Sequence, residues 1–204
     1  MDEKPAIRAV LFDFGGVVAA EGFEAGLKII GARAGLEPET FFRQGTEAVY
    51  GSGYVTGRGS EADFWNLLRQ RTGVTYDDRA MRDEILDRFI PRPAMLTAVS
   101  RLRDRGLVVA MLSDQTDWLD LLNERHHFFP AFDSIFNSYH LGLTKRDPAI
   151  FDRVTRALDL PPAACLFVDD NPGHIERAQS RGLKTLLFKN EEQCLAELGA
   201  LQLL

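Results

Sequence analysis

The chain has 204 residues, of which 45% are hydrophobic and 26% are charged, a balance typical of one α/β domain or of such a domain with a modest insertion. Its formal net charge of −6 argues against binding of nucleic acid by general electrostatic attraction, and no apolar run approaches the roughly 18 residues of a membrane span. The charged N-terminus is followed by no signal-like segment, and the two cysteines, Cys165 and Cys194, form no disulfide framework. We therefore expect a cytoplasmic protein that is a monomer or a homodimer. We expect no nucleic-acid or membrane partner.

The first predicted element is a buried strand that ends in a carboxylate. Residues 7–12 are β-prone and mostly apolar, as in a strand of a parallel sheet that is covered on both faces. Asp13 then stands at the carboxyl end of the strand, where open α/β sheets bind their ligands. Gly15 and Gly16 allow the backbone to turn sharply and to approach a bound group closely. Taken alone, the stretch fits a solvated aspartate in a glycine turn equally well.

Residues 19–90 are predicted to form a small helical cap inserted directly after this strand. Apolar residues recur there at helical spacing. The predicted helices cover residues 22–34, 39–49, 61–71 and 77–89. Ser60 precedes two acidic residues at the start of the third helix, and Pro38 stands near the start of the second, where proline is tolerated.

From residue 91 onward the pattern alternates strands with helices, which is the signature of a parallel sheet. The predicted strands cover residues 107–112, 134–137, 164–168 and 184–188. The predicted helices cover residues 94–105, 117–126, 148–160 and 173–181. We therefore predict an α/β fold with a Rossmann-like parallel sheet, in which residues 1–18 and 91–204 form the core and residues 19–90 form the cap.

Three of the predicted strands end in polar side chains, which a parallel sheet brings to one edge. Asp13 follows the first strand, Ser113 the second, and Asp169 and Asp170 the fourth, while Lys145 can reach the same edge from the loop after the third. Converging carboxylates repel one another unless a cation or a proton neutralises them. Their hard oxygen atoms suit Mg²⁺, and the lysine and the hydroxyl are good donors to a phosphate. The pattern therefore predicts phosphoryl transfer through an aspartyl-phosphate.

Four segments of the chain resemble motifs I to IV of the haloacid dehalogenase-like hydrolase superfamily, in the same order and at fitting spacing. They are residues 12–17 (Phe-Asp-Phe-Gly-Gly-Val), 112–114 (Leu-Ser-Asp), 141–148 (Leu-Gly-Leu-Thr-Lys-Arg-Asp-Pro) and 167–171 (Phe-Val-Asp-Asp-Asn). The predicted cap falls between motifs I and II, where that superfamily carries its first type of cap. Each motif is weak alone, but the four together with the cap are specific and cover essentially the whole chain.

The resemblance implies a role for each matching residue. Asp13 corresponds to the nucleophile, and its carboxylate, the backbone carbonyl of Gly15 and the carboxylate of Asp169 would hold Mg²⁺. Asp170 would support the metal through water or through Lys145. The residues that would bind the transferring phosphoryl group are Ser113 and Lys145.

The chain departs from the superfamily pattern at Gly15. Most phosphatases of the superfamily carry a second aspartate there, two residues after the nucleophile, and such a general acid and base contributes about 10²–10⁴-fold to the rate. Three interpretations stay open. The protein is a phosphatase that uses a water or a cap residue in place of the aspartate, or that favours substrates whose leaving groups need little help from an acid. Otherwise it is a 2-haloacid dehalogenase, or a catalytically weak or inactive module that binds a phosphorylated ligand or a protein. Asp169 and Asp170 argue against the dehalogenase, because a metal-free halide displacement has no use for added negative charge near its nucleophile.

Motifs I and IV also point to a branch of the superfamily. The Asp-x-Gly-Gly-Val form of motif I, joined to Asp-Asp-Asn in motif IV, resembles a branch that includes sugar-phosphate phosphatases active without the second aspartate. The resulting prediction is a Mg²⁺-dependent phosphatase that acts on a small phosphorylated metabolite, a hexose phosphate or a similar compound.

Further substrate-binding residues are predicted in motif II and in the cap. Asp114 stands where the superfamily commonly has asparagine, and an extra acid there either weakens phosphate binding or points away from the site. The cap residues that we expect to face the substrate are Glu21, Arg43, Tyr54 and Arg58. Arg58 is preferred among them because its glycine-flanked loop suits an anionic or hydroxylated substrate. His174, in motif IV, is interpreted as a helix-start residue rather than a catalyst.

Overall fold

The computed structural model describes residues 6–204, so the charged N-terminal residues on which the cytoplasmic prediction partly rests lie outside the described residues. The strands are β1 (Ala9–Phe12), β2 (Val108–Ser113), β3 (Ser134–Asn137), β4 (Cys165–Asp169) and β5 (Lys184–Leu187). They form one parallel five-stranded sheet in the order β3-β2-β1-β4-β5. The predicted α/β fold with a Rossmann-like parallel sheet is confirmed.

Strand β1 lies at the centre of the sheet because its residues are apolar on both faces. All four of its side chains are fully buried. Val10 and Phe12 point into the larger hydrophobic core, while Ala9 and Leu11 point into a second core on the opposite face of the sheet. This alternation is the period of two expected for a strand, and helices cover both faces. Asp13 is therefore held at the middle of the sheet's carboxyl edge.

Six helices follow the cap in the described part of the chain and flank the sheet. They are α5 (Pro93–Asp104), α6 (Trp118–His126), α7 (Ser138–Leu141), α8 (Ala149–Ala157), α9 (Pro172–Ser180) and α10 (Glu191–Ala200). Helices α7 and α10 were not predicted from the sequence. Within residues 6–204, none of the helices combines the length and the apolar character needed to cross a bilayer.

The segment between β1 and β2 begins with four helices, as the hydrophobic periodicity predicts. They are α1 (Gly22–Arg33), α2 (Pro38–Gly51), α3 (Glu61–Thr72) and α4 (Asp78–Leu86). At the start of α3, the Ser60 hydroxyl accepts a hydrogen bond from the backbone amide of Asp63, whose carboxylate accepts one from the amide of Ser60. Aromatic packing joins this unit to the core, since the ring of Phe14 stacks on those of Phe89 and Phe128.

The two chain passages between the sheet and the helical unit run side by side. The backbone amide of Ala20 donates to the carbonyl of Ile90 over 2.9 Å, and the amide of Arg92 donates to the carbonyl of Val18 over 2.8 Å. The predicted fourth helix reaches residue 89, whereas α4 ends at Leu86, because the chain turns back there toward this junction. The boundaries of the cap at residues 19 and 90 stay predictions, and the two hydrogen bonds lie beside them.

Glycines let α1 pack closely on α4, and one substitution tests this packing. A Cβ atom on Gly26 would lie only 2.6 Å from the Cα atom of Ile85. Gly199 of α10 has no heavy atom within 4 Å of the same point. We expect Gly26→Ala to lower the free energy of unfolding by about 1–3 kcal/mol through overpacking, and Gly199→Ala to raise it by up to about 1 kcal/mol. Urea unfolding of both variants measures the difference, and equal stability would contradict this packing.

Candidate active site

The polar residues that follow the strands meet at one cavity on the carboxyl edge of the sheet. The cavity has a volume of about 370 Å³. Asp13, Ser113 and Lys145 line it from the sheet side, and Asp170 and His174 line it from the segment after β4. Because β2, β1 and β4 are neighbours in the sheet, side chains that are 100 residues apart in the sequence, those of Asp13 and Ser113, come into contact here.

Asp13 is held by three donors. Its Oδ1 atom accepts hydrogen bonds from the Ser113 hydroxyl and from the backbone amide of Phe14, each over 2.7 Å. Its Oδ2 atom lies 2.7 Å from Nζ of Lys145. The same ammonium donates to Oδ2 of Asp169 over 2.7 Å, and both Lys145 and Asp169 are almost completely buried. Lys145 therefore bridges two carboxylates that come from neighbouring strands.

The charges at the site do not balance. Burial by itself would lower the pKa of Lys145, but the carboxylates of Asp13, Asp169 and Asp114 raise it above its usual range. Burial raises the pKa of Asp13 well above its usual range, against the lowering effect of Lys145 and with added repulsion from Asp169. Burial together with Asp169 also raises the pKa of Asp170. If Asp13, Asp169 and Asp170 are all ionised, the ammonium of Lys145 balances only one of the three negative charges, and the site attracts a cation.

Asp169 contacts both Lys145 and a histidine. Nδ1 of His174 lies 3.2 Å from each carboxylate oxygen of Asp169. Burial by itself would raise the pKa of Asp169, but Lys145 and His174 together hold it below its usual range. The sequence interpretation of His174 as a residue at the start of a helix fits its place in the first turn of α9, yet it missed this contact. A signal was available, because His174 follows Asp169 by five residues across a strand-to-helix turn.

The site has the donors that a divalent cation requires. Ligand atoms of Asp13, Asp169 and His174 all lie within 4.8 Å of one another. Gly16 has a φ of +80°, in the left-handed region that favours glycine, and a Cβ there would collide with the carboxylate of Asp170. The backbone thus makes room for a further acid beside the cluster. Carboxylate oxygens of this kind suit Mg²⁺; the carbonyl of Gly15 as a ligand stays a prediction, although Gly15 does line the cavity.

Asp114 holds Lys145 in position. Its Oδ1 atom accepts from the backbone amide of Lys145 over 2.8 Å, and its Oδ2 atom accepts from the hydroxyl of Tyr50 in the cap over 2.9 Å. Arg177 donates to the carbonyl of Lys145 over 2.7 Å, and the guanidinium of Arg146 stacks on the Tyr50 ring. Asp114 also lines the cavity, and both of its carboxylate oxygens accept from protein groups; its part in substrate binding stays a prediction.

Only one of the four predicted cap residues lines the cavity. Arg58 is exposed and donates to the carbonyl of Gly142, and Arg43 is exposed and contacts Thr40. Arg58 is therefore not among the residues that line the cavity, because its guanidinium contacts the end of α7, and its role in substrate binding stays a prediction. The Tyr54 ring is buried and its hydroxyl donates to Asp117.

Glu21 is the one of the four predicted cap residues that lines the cavity. It stands directly before α1, and burial raises the pKa of its carboxyl group to about 7, although the hydrogen bond from the backbone of Glu24 opposes the shift. The rest of the wall on the cap side is mainly apolar, which the sequence analysis did not anticipate. The apolar cap residues of the wall are Phe23, Phe42, Val49 and Val55, and Trp118 of α6 adds a fifth apolar side chain; the polar cap residues Glu24, Thr46 and Tyr50 line the same wall.

Comparison with known proteins places the chain among hydrolases of one family. The family model described as haloacid dehalogenase-like hydrolase matches residues 7–182. A HAD family enzyme from Bacteroides thetaiotaomicron, solved in complex with magnesium and inorganic phosphate, superposes with a TM-score of 0.70 at 21% identity, over 90% of this chain and 95% of that one. This likeness shows the shared fold.

Two curated relatives are similar in sequence over part of their length. Acyl-CoA dehydrogenase family member 10 of Mus musculus is 28% identical over 212 residues, which cover 95% of this chain but only 19% of that protein. A sesquiterpene phosphatase of Aspergillus oryzae is 29% identical over 94 residues, which cover 46% of this chain and 48% of that one. The chain thus spans about a fifth of the mouse protein and about half of the fungal one.

Proposed function

Because the chain belongs to the haloacid dehalogenase-like hydrolase family, we propose that it is a Mg²⁺-dependent phosphatase of a small phosphorylated metabolite, with Asp13 as the residue that accepts the phosphoryl group. The observation that carries the proposal is the Lys145 ammonium, which lies 2.7 Å from both Asp13 and Asp169. A nucleophilic carboxylate, a fixed cation and an acidic group that attracts a second cation are the parts that phosphoryl transfer needs. The similarity to a sesquiterpene phosphatase supports the same reaction class.

The contacts of Asp13 support a reaction in two steps. A carboxylate oxygen of Asp13 attacks phosphorus, and the bond from phosphorus to the leaving oxygen breaks. Lys145 and the Ser113 hydroxyl, which both bond to Asp13, are placed to donate to oxygens of the transferring group. Water then attacks the phosphorus, inorganic phosphate leaves, and the Asp13 carboxylate is regenerated. Bound Mg²⁺, held by the carboxylates of Asp13 and Asp169 with help from Asp170 and the Gly15 carbonyl, would neutralise charge on the phosphoryl oxygens.

The two alternative functions predict different chemistry. A 2-haloacid dehalogenase has no use for the carboxylates of Asp169 and Asp170 around its nucleophile, and repulsion from them disfavours it. A binding module without catalysis would retain the cavity but show no turnover. That module stays the second candidate only because Gly15 lacks the acid found two residues after the nucleophile in most related phosphatases.

The lining of the cavity bears on the substrate. Four apolar side chains of the cap and Trp118 of α6 line it, and the predicted arginine at position 58 is not among the lining residues. Such a wall favours a leaving group that presents an apolar face, because burial of apolar surface stabilises the complex by about 25 cal/mol per Å². The hexose phosphate stays a prediction, and we propose alkyl, prenyl or aryl phosphates as alternative substrates.

Release of inorganic phosphate tests the proposed function. We would assay sugar phosphates together with alkyl, prenyl and aryl phosphates, with Mg²⁺ and with EDTA. Metal-dependent release is the expected result, with the apolar members preferred. Release that EDTA leaves unchanged would overturn the role of the metal. Tight binding of a phosphorylated compound without release would favour the binding module.

The metal assignment has a test that needs no turnover. Asp169→Asn keeps the shape of the side chain but removes one charge from the site, and we expect it to weaken Mg²⁺ binding about tenfold or more. Asp104→Asn, at the exposed end of α5, is the control and should bind Mg²⁺ like the unchanged protein. Isothermal titration calorimetry of the three proteins gives the answer, and equal affinities would contradict the assignment of Asp169.

A further inference from the structure

The proposed phosphatase lacks an acid at the position where related enzymes protonate the leaving group. An alkoxide is a poor leaving group at neutral pH, so a positioned proton donor usually contributes about 10²–10⁴-fold to the rate. We infer that Glu21 supplies this proton from the cap and then acts as the base that activates water. This inference rests on the proposed function and names the residue that completes its site.

The position of the Glu21 carboxylate is the first observation. A Cβ atom built on Gly15 would lie 2.5 Å from Oε2 of Glu21 and 3.3 Å from Cε1 of Phe89. Glu21 thus occupies the volume that a side chain at position 15 would need, and the two cannot coexist unchanged. The carboxylate missing from the sequence two residues after Asp13 is replaced in space by one that comes from eight residues after it.

The way Glu21 is held is the second observation. Glu21 and Glu37 are both N-cap residues, of α1 and α2. Glu37 uses both carboxylate oxygens to accept from backbone amides, those of Glu39 and Thr40. Glu21 caps its helix with Oε1, which accepts from the amide of Glu24 over 3.2 Å, while Oε2 lies against Gly15. The cap bond therefore fixes the carboxyl group and leaves its second oxygen beside the site.

The other acids and the histidine of the cavity wall are committed elsewhere. Both oxygens of Asp114 accept hydrogen bonds, one from the backbone amide of Lys145 and one from the hydroxyl of Tyr50 in the cap. Asp170 lies beside Gly16, and His174 contacts Asp169; both aspartates are assigned to the proposed metal site. Glu24 pairs with Lys28 on the surface of α1. Glu21 is the wall carboxylate that lies beside Gly15 and uses only one oxygen, Oε1, for the helix cap, so that Oε2 is available for proton transfer.

The proton balance of the two steps is closed. In the first step an oxygen–phosphorus bond forms at Asp13, the bond to the leaving oxygen breaks with its electron pair, and protonated Glu21 gives that oxygen its proton. In the second step the Glu21 carboxylate takes a proton from water as the water oxygen attacks phosphorus. The bond between phosphorus and Asp13 then breaks, its electron pair returns to the carboxylate, and Glu21 is again protonated.

Two substrates with different leaving groups separate this role from a structural one. Protonation matters for an alkyl phosphate, so Glu21→Gln should lower its kcat/KM by about 10²–10⁴-fold. With 4-nitrophenyl phosphate the leaving group needs no proton, so the first step should persist and the second should slow. The expected signature is a burst of nitrophenolate stoichiometric with enzyme, followed by slow turnover. Glu37→Gln loses a comparable helix cap away from the site and should leave both activities unchanged.

A reciprocal variant tests the spatial replacement directly. Glu21→Ala should lose activity toward the alkyl phosphate, and the double variant Gly15→Asp/Glu21→Ala should recover at least about tenfold of it, because the volume beside Gly15 is then filled by the acid of the usual pattern. Thermal unfolding of each variant checks that the fold is retained.

The outcomes distinguish the inference from the proposed function. If the unchanged protein releases phosphate and Glu21→Gln matches Glu37→Gln on both substrates, Glu21 is not the acid and the inference is overturned, while the proposed phosphatase stands. Loss of the burst together with the steady-state rate in a folded Glu21→Gln variant also overturns it. If the unchanged protein releases no phosphate from any substrate, the proposed function itself has failed.

Discussion

Asp13→Asn is expected to lower kcat for phosphate release by about 10⁴-fold or more, because an amide cannot act as the nucleophile. The fold should survive, since asparagine has nearly the same shape and its carbonyl oxygen, in the place of Oδ1, still accepts from the Ser113 hydroxyl and the Phe14 amide, although the contact of Lys145 with Oδ2 is lost. Phosphate release and thermal unfolding are measured on the same preparations. Asp104→Asn, which lies outside the cavity, serves as the control for removal of one aspartate charge. Substantial activity in a folded Asp13→Asn protein would exclude Asp13 as the nucleophile.

Lys145→Met is expected to have the second largest effect, because it affects both stability and activity. Methionine keeps the length of the buried side chain, but the carboxylates of Asp13 and Asp169 lose the ammonium that lies 2.7 Å from each of them. Two uncompensated buried charges should lower the free energy of unfolding by about 3–5 kcal/mol. Loss of a donor to the transferring group should lower kcat by a further factor of about 10²–10³.

The loss of stability in Lys145→Met should depend on pH with a definite sign. Without Lys145 the pKa of each carboxyl group is raised in the folded protein relative to the unfolded chain, so the folded state binds protons more readily. The deficit is therefore largest at neutral pH and shrinks as the pH falls through the raised pKa values. Urea unfolding in EDTA over a pH series measures it. Lys189→Met, at an exposed position, should change stability by less than about 0.5 kcal/mol, and an equal effect of both variants would contradict the buried bridge.

The sequence contains enough local information to predict the sheet and most of the helices. The apolar runs that end at Asp13, Ser113 and Asp169 are strands in the structure, and β3 covers residues 134–137 as predicted. The strand order is a property of long-range pairing and was not predicted. Helix α10 was missed although Asn190 followed by two glutamates is a start signal, and its Gln193 amide does bond to Asn190. Helix α7 has four residues, too few to show periodicity.

The candidate site also contains residues that the sequence predicts and contacts that it does not. Asp13, Ser113, Lys145 and Asp169 come together because each lies at the carboxyl end of a strand or in the segment after one, and a parallel sheet brings these positions to one edge. The roles proposed for them stay predictions until they are measured. What the sequence did not reveal depends on contacts between the cap and the core: the carboxylate of Glu21 lies beside Gly15, and Arg58 donates to the carbonyl of Gly142 instead of lining the cavity.

The most direct test of Asp13 as the nucleophile is chemical trapping of the phosphoryl group on its side chain. The protein would be mixed with Mg²⁺ and an excess of its best phosphate substrate, quenched within a turnover, and treated with borohydride, which reduces an acyl phosphate to an alcohol. Peptide mass spectrometry should then find the reduced side chain at Asp13, and Glu21→Gln should increase its yield because the second step is slowed. An unmodified Asp13 in a protein that turns over substrate, or reduction at another carboxylate, would contradict phosphoryl transfer to Asp13.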